Sequence, residues 1–273
     1  MRASTAALAI VVACRVLSPV LAEDTTLPKP LVRAHAHNDY EHARPLLDAL
    51  DRGFCSVEAD IYLVDGKLLV AHNRRDVKPE RTLEALYLDP LLAKVKANGG
   101  RVYRNGPPFT LLVDIKANGE ATYAELAKTL ARYAEMLTVV RDGKLRAGAV
   151  TVVISGDRPR EKVVADAVRY VGIDGRMSDL DDKQTDNLSS DLMPLVSDSW
   201  YTHFKWRGKG QMPDDERQKL RTFVDKAHAK NLRVRFWATP ETVEMWRELD
   251  AAGVDLINTD DLDGLARYLN KNP

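Results

Sequence analysis

Cysteine, charge imbalance and glycine-rich turns are what this chain lacks. With 2 cysteines in 273 residues it is no disulfide-stapled scaffold. Its 40 Lys and Arg residues match its 40 Asp and Glu residues, so no basic surface points to nucleic acid, and that class of partner is excluded. No glycine-rich turn follows the first strand-like run, which removes the phosphate cradle of a nucleotide-binding doubly wound sheet. Nor does a repeat, a low-complexity tract or a linker divide the chain beyond residue 22. With 45% hydrophobic and 29% charged residues, the composition is that of a globular protein of one large domain or two small ones.

The N-terminus differs in kind. Arg2 precedes an apolar stretch, Ala6 to Ala13, that continues through Val16, Leu17, Val20 and Leu21 to Ala22. Arg15 and Pro19 interrupt it, and it is too short for a good membrane span. Val20 and Ala22 meet the small-residue rule for cleavage before Glu23. The expectation is a signal peptide over residues 1–22, a single domain over residues 23–273, and a secreted or periplasmic mature protein. Val11-Val12-Ala13-Cys14 also resembles a lipoprotein box, but Cys14 lies early and Arg15 follows it. After cleavage Cys55 is the only cysteine, so no intrachain disulfide is available.

From Leu31 onward strand-like and helix-like segments alternate. Leu31–Ala36 is extended, Ala43–Arg52 has helical spacing, and Phe54–Ile61 is strand-like. Asp65-Gly66 is a hairpin turn that returns the chain along Lys67–Ala71. Thr82–Ala97 reads as a helix broken near Asp89-Pro90, Phe109–Ile115 as a strand, and Ala121–Leu137 as an amphipathic helix. Then come a strand over Ala149–Ile154, a helix over Arg160–Tyr170, and weaker strands over Tyr170–Ile173 and Met193–Ser197. The pattern closes with helix Asp214–Lys230, strand Leu232–Trp237, helix Glu241–Ala252, strand Val254–Asn258 and helix Leu262–Leu269. About eight strand–helix units fit one (β/α)8 TIM barrel, an α/β fold of roughly this length.

Chemistry-bearing residues stand where these runs end. His35-Ala36-His37-Asn38-Asp39 follows the first run, Glu58-Ala59-Asp60 lies in the second, His72 follows the hairpin, and Asp114-Ile115-Lys116 closes the Phe109 run. Period-two spacing points both members of each pair to one side of their strand. Active sites of this fold form at the C-terminal strand ends, where Asp260 also lies after the last strand. Buried carboxylates and lysines are costly unless paired or bound to a metal. A pair of histidines can hold opposite protonation states at neutral pH. Three carboxylates offer hard oxygen ligands suited to Mg²⁺ or Ca²⁺.

In these motifs the chain resembles the glycerophosphodiester phosphodiesterase and phosphatidylinositol phospholipase C superfamily, in particular the altered inheritance of mitochondria protein 6 group. The resembling residues are Ala36-His37-Asn38-Asp39-Tyr40, Gly53 to Asp60, Asp65 to His72, Val113 to Lys116 and Gly253 to Asp260. The resemblance implies a metal-dependent phosphoric diester hydrolase acting on glycerophosphodiesters or phospholipid head groups. It implies Glu58, Asp60 and Asp114 around a divalent cation, two histidines exchanging protons, and Lys116 against the phosphoryl charge. It further implies attack by a neighbouring substrate hydroxyl through a cyclic phosphate, and a small-molecule or lipid phosphodiester partner with transient contact at a membrane surface. His37 and His72 are the expected acid–base pair, with His35 beside them as a helper. The pattern departs from the common one at His35-Ala36-His37, where His-Arg-Gly is usual. It departs again at Asp114, where Glu is usual, and at Asn73, where Asp often follows the histidine.

Blander readings stand beside these. Glu58 and Asp60 could hold an arginine such as Arg33, and Asp114 could simply pair with Lys116. Cys55 reads as core packing, and His42 and His228 as surface or helix residues. Trp200, Tyr201, His203 and Trp206 are equally consistent with walls of the site and with core, as are Arg235 and Trp237. Two rival functions remain: an amidohydrolase-type metal-dependent hydrolase built on His35-x-His37, for which only His203 is a late ligand candidate, and an inactive barrel that binds a phosphorylated or polyol ligand.

Overall fold

The computed structural model describes residues 28–182 and 189–272. The expected signal peptide over residues 1–22, and Cys14 with it, lie outside the described residues. Eight parallel strands close into a barrel: β1 (Leu31–Ala36), β2 (Phe54–Val64), β3 (Phe109–Ile115), β4 (Val150–Gly156), β5 (Val171–Gly175), β6 (Leu195–Ser199), β7 (Arg233–Trp237) and β8 (Leu256–Thr259). Closure comes from β1 pairing with both β8 and β2. The Lys67–Val70 segment folds back antiparallel on β2 through the Asp65-Gly66 turn, both residues at positive φ (48° and 75°). This is the left-handed geometry that Asp and Gly tolerate in a two-residue hairpin.

Helices clothe the outside: α1 (Leu47–Leu50), α2 (Asp89–Ala97), α3 (Gly119–Ala131), α4 (Arg160–Ala165), α5 (Trp200–His203), α6 (Asp214–Ala229), α7 (Val243–Ala251) and α8 (Leu262–Lys271). Among the described residues no helix is long and apolar enough to cross a membrane. After β5 the described chain carries only a 3-10 turn, Met177–Leu180, in place of an α-helix. The expected break near Asp89-Pro90 is a change of winding rather than a gap. A wide turn over Glu84–Leu88 runs into α2 with Pro90 in its first turn, where a missing N–H costs nothing. The expected helix over Arg160–Tyr170 stops at Ala165, because Val168–Arg169 is drawn into a small antiparallel sheet with Val139–Arg141 and Lys144–Arg146. Strands of two or three residues are too short to show a period.

The core has two parts. A large apolar layer fills the space between barrel and helices, while Leu112, Val153, Leu195 and Leu256 form a separate buried cluster. These four come from β3, β4, β6 and β8, and by strand alternation they point into the barrel. Two residues further along each strand stands a polar side chain: Asp114, Ser155, Ser197 and Asn258. The apolar plug therefore forms the floor on which a polar layer rests, at the C-terminal mouth.

Candidate active site

The polar layer is assembled by register. On neighbouring strands Asp60 of β2 is level with Asp114 of β3, and Glu58 with Leu112. Glu58, Asp60 and Asp114 consequently offer carboxylate oxygens that all lie within 4.8 Å of one another. Glu58 and Asp60 are buried, and one oxygen of Asp60, Oδ1, is buried with no hydrogen-bond partner. An orphaned carboxylate oxygen among hard oxygen donors fits a divalent cation.

Charge in the trio is unevenly managed. Burial alone would raise the Glu58 pKa, but the Arg235 guanidinium, the His35 hydrogen bond and the nearby His37 together outweigh it and hold Glu58 well below the usual carboxylate range. That contact is a buried ion pair, with Arg235 Nη2 donating to Glu58 Oε2 at 2.6 Å while its Nε donates to Asn258. Asp60 is pushed up by burial and then by the Glu58 charge, and Asp114 is pushed up to about 6 by burial and then by Asp60. Lys116 Nζ stands 3.1 Å from Asp60 Oδ2 and 3.6 Å from Asp114 Oδ1. Burial pulls the Lys116 pKa down, but Asp60 and Asp114 together raise it, so the ammonium stays charged.

The histidines fall into two kinds. His35 is fully buried, 2.7 Å from Ser56 Oγ through Nδ1 and 3.4 Å from Glu58 Oε2 through Nε2. Burial, then the Arg235 charge, pulls its pKa down to about 3. A neutral ring there donates Nε2–H to Glu58 and accepts from Ser56. His37 and His72 instead reach the mouth, with side chains 22% and 55% exposed. Each has Nδ1 on a carboxylate: His37 at 2.8 Å from Asp260, His72 at 3.1 Å from Asp60. Burial lowers the His37 pKa, yet the hydrogen bond to Asp260 and the Glu58 charge more than reverse this, and the net shift is upward.

Asn38 turns the chain at φ 46°, a left-handed geometry that asparagine tolerates. This seats Tyr40 beneath the mouth, where its hydroxyl lies 2.7 Å from Asp60 Oδ2, 2.8 Å from Asn38 Oδ1 and 3.1 Å from His72 Nδ1. Asn38 also donates to Asp260 at 3.3 Å, so side chains link the His37 and His72 regions. Glu241 accepts from Thr259 Oγ1 and from the backbone N–H of Asp260, which fixes the loop holding His37. Asn38 and Tyr40 belong to the first motif, where spacing gives them no role, and Glu241 carries no local signal in the sequence. An alternation Arg233-x-Arg235-x-Trp237 on one strand face was the available signal for Arg235.

Other candidates resolve differently. The arginine at Glu58 is Arg235. Arg33 pairs with Asp250 and the Val254 carbonyl, because its position lies toward the opposite end of β1. Trp200 and Trp206 are buried, Trp200 stacked on Phe204, while Tyr201 is exposed beneath Arg207 and Trp237 stands 38% exposed two residues beyond Arg235. His203 lies within ion-pair distance of Asp198 and packs on Phe223, and it does not join the acidic trio. Cys55 is buried, its thiol pushed up to about 12 by burial.

Comparison with known proteins gives a consistent picture. The AIM6-like phosphodiesterase domain matches residues 25–174, and the glycerophosphoryl diester phosphodiesterase family matches residues 233–263. An "Altered inheritance of mitochondria protein 6 homolog" from Arthroderma benhamiae is 29% identical over 92% of this chain and 88% of its own. The "Altered inheritance of mitochondria protein 6" of Eremothecium gossypii is 30% identical over 87% of this chain and 69% of its own. Among solved structures, a calcium-dependent phosphoinositol-specific phospholipase C from Pseudomonas sp. superposes with a TM-score of 0.55 at 14% identity, covering 88% of this chain and 93% of that one. A glycerophosphodiester phosphodiesterase from Parabacteroides distasonis gives 0.52 at 13%, covering 90% and 100%. At such identities the structures speak for the fold alone. The relatives' names refer to mitochondria, which overturns the expectation of a secreted or periplasmic protein. Residues 1–22 carry Arg2 and Arg15 and no acidic residue, a composition shared by export and organelle leaders, so composition could not choose between them.

Proposed function

The chain belongs to the AIM6-like phosphodiesterase family, and from that premise we propose that it cleaves glycerophosphodiesters or phospholipid head groups by acid–base catalysis between His72 and His37. It is a phosphoric diester hydrolase with a divalent-cation site and a small-molecule or lipid phosphodiester substrate. One observation carries the mechanistic reading: two mouth histidines, each tied through Nδ1 to a carboxylate, flank a trio of carboxylates within 4.8 Å of one another.

With Nδ1–H donated to Asp60, His72 presents Nε2 as a base. It takes the proton from the attacking oxygen as the new P–O bond forms. The upward shift of the His37 pKa favours its protonated ring, which delivers a proton to the leaving oxygen as the old P–O bond breaks. Lys116 sets a fixed positive charge against the phosphoryl oxygens. His35, neutral and buried, orients Glu58. Glu58, Asp60 and Asp114 would hold a divalent cation, which would supply Lewis-acid polarisation of the phosphoryl group. The attacking oxygen belongs to water or to a neighbouring hydroxyl of the substrate, and the second route releases a cyclic phosphate.

Turnover of glycerophosphocholine and bis-(p-nitrophenyl) phosphate, followed by ³¹P NMR with and without chelator, tests this reading. Chelator-sensitive cleavage supports it, and a cyclic product identifies hydroxyl attack. An amidohydrolase-type enzyme or an inactive barrel cleaves neither diester.

A further inference from the structure

One hydroxyl stands among the groups that hold His72. Tyr40 is almost wholly buried and belongs to the apolar layer between barrel and helices, yet its oxygen touches Asp60 and His72. The turn that carries it is pinned at both ends. Glu41 N–H bonds to the Asn38 carbonyl at 2.8 Å, and Arg81 Nη2 donates to the Tyr40 carbonyl at 2.5 Å. The Arg81 carbonyl in turn accepts from Val70 N–H at 2.8 Å, on the hairpin return that leads into His72. Backbone and side chains together therefore fix Tyr40 relative to His72.

Donors crowd one oxygen of Asp60. Its Oδ2 is met by the Tyr40 hydroxyl at 2.7 Å, by His72 Nδ1 at 3.1 Å and by Lys116 Nζ at 3.1 Å, while Oδ1 is buried without a partner. His72 Nδ1 has a second neighbour, the Tyr40 oxygen, also at 3.1 Å. A phenol carries one proton at neutral pH. Two closer acceptors compete for it, Asp60 Oδ2 at 2.7 Å and Asn38 Oδ1 at 2.8 Å. Whichever takes it, the Tyr40 oxygen turns lone pairs toward His72, and Nδ1 faces acceptors alone. Nδ1 then carries the ring proton of the neutral imidazole, and Nε2 is bare. Asp60 by itself would hold that proton less firmly, because Lys116 competes for the same oxygen. The His72 side chain is 55% exposed, so packing does little to fix it otherwise.

We propose that Tyr40 is a positioning residue for the reaction: its hydroxyl, together with Asp60 Oδ2, keeps the proton of His72 on Nδ1 and so leaves Nε2 as the basic nitrogen. The consequence for turnover rests on the reading of His72 as the base, whereas the tautomer does not. Groups that set the tautomer of a histidine from one step away are worth about 10–100-fold in activity at metal sites.

Tyr40→Phe keeps the buried ring and removes the hydroxyl alone. In ¹⁵N-histidine NMR spectra under alkaline conditions, where imidazoles are neutral, wild-type His72 should be the Nδ1–H tautomer, and Tyr40→Phe should move a measurable share to Nε2–H. The kcat on glycerophosphocholine should fall about 10–100-fold, with KM and divalent-cation affinity within about twofold of wild type. Wild-type His72 found as Nε2–H, or an Nδ1–H population unchanged by Tyr40→Phe, overturns the proposal, as does a shifted tautomer at undiminished kcat. So does a parallel loss of kcat, cation affinity and unfolding free energy, which marks the hydroxyl as structural. Should the wild type cleave no diester while the tautomer still answers to Tyr40→Phe, the phosphodiesterase reading fails and the hold on His72 stands.

Discussion

Arg235 Nη2 donates to Glu58 Oε2 at 2.6 Å inside the barrel, where both side chains are almost wholly shielded from solvent. A buried ion pair contributes modestly to net stability, but losing one partner leaves an uncompensated charge and costs about 3–5 kcal/mol. Arg235→Met should therefore lower the unfolding free energy by about that amount, read from urea denaturation, and should weaken cation binding as Glu58 takes up a proton. If Arg235→Met is as stable as wild type and binds the cation equally well, the pair does not set the charge of the trio.

Removing a ligand should act through the cation. Glu58→Gln and Asp114→Asn should each reduce divalent-cation affinity about tenfold or more by calorimetry, with turnover falling in parallel. Excess EDTA should abolish turnover, and restored Mg²⁺ or Ca²⁺ should return it. Full activity in EDTA would remove the cation from the reaction.

His37→Ala and His72→Ala should each lower kcat about 10²–10⁴-fold while leaving cation affinity near wild type. The pH profile carries the sharper test. Because the folded-state pKa of His37 is raised, its acid form persists to higher pH, and activity is lost as pH rises through that value. Asp260→Asn removes the carboxylate that holds the proton, so burial dominates and the alkaline limb should move to lower pH. An alkaline limb that stays in place would assign it to another group.

Asp39, whose side chain meets Leu46 and Tyr87 rather than the acidic trio, gives a stability prediction. Its Oδ2 accepts from Leu46 N–H at 2.6 Å and from the Tyr87 hydroxyl at 2.9 Å, while Oδ1 is buried without a partner. Burial pushes its pKa from 3.8 up to about 7. The folded state thus holds a proton that the unfolded state has released, and stability falls as pH rises through that window. Asp39→Asn cannot ionise, so its stability relative to wild type should improve by roughly 1–3 kcal/mol between about pH 5 and about pH 8. A pH-independent difference in unfolding free energy would show that Asp39 titrates normally.

Local sequence determined the parts of this protein that depend on period and position. Alternating apolar runs set the strands, and motifs two residues apart put Glu58 with Asp60, His35 with His37 and Asp114 with Lys116 on common strand faces. Those relations need only one strand's pleat, so they are readable from a dozen residues. The Asp65-Gly66 hairpin and α6 were legible for the same reason. Partner choice is different. Glu58 meets Arg235 across 177 residues and His37 meets Asp260 across 223, and both contacts exist only because β1 and β8 close the barrel. Closure also separates the mouth histidines His37 and His72 from buried His35, whose pKa is set by desolvation that no spacing reveals. Periodicity is a property of the backbone, but burial and charge balance belong to the closed barrel.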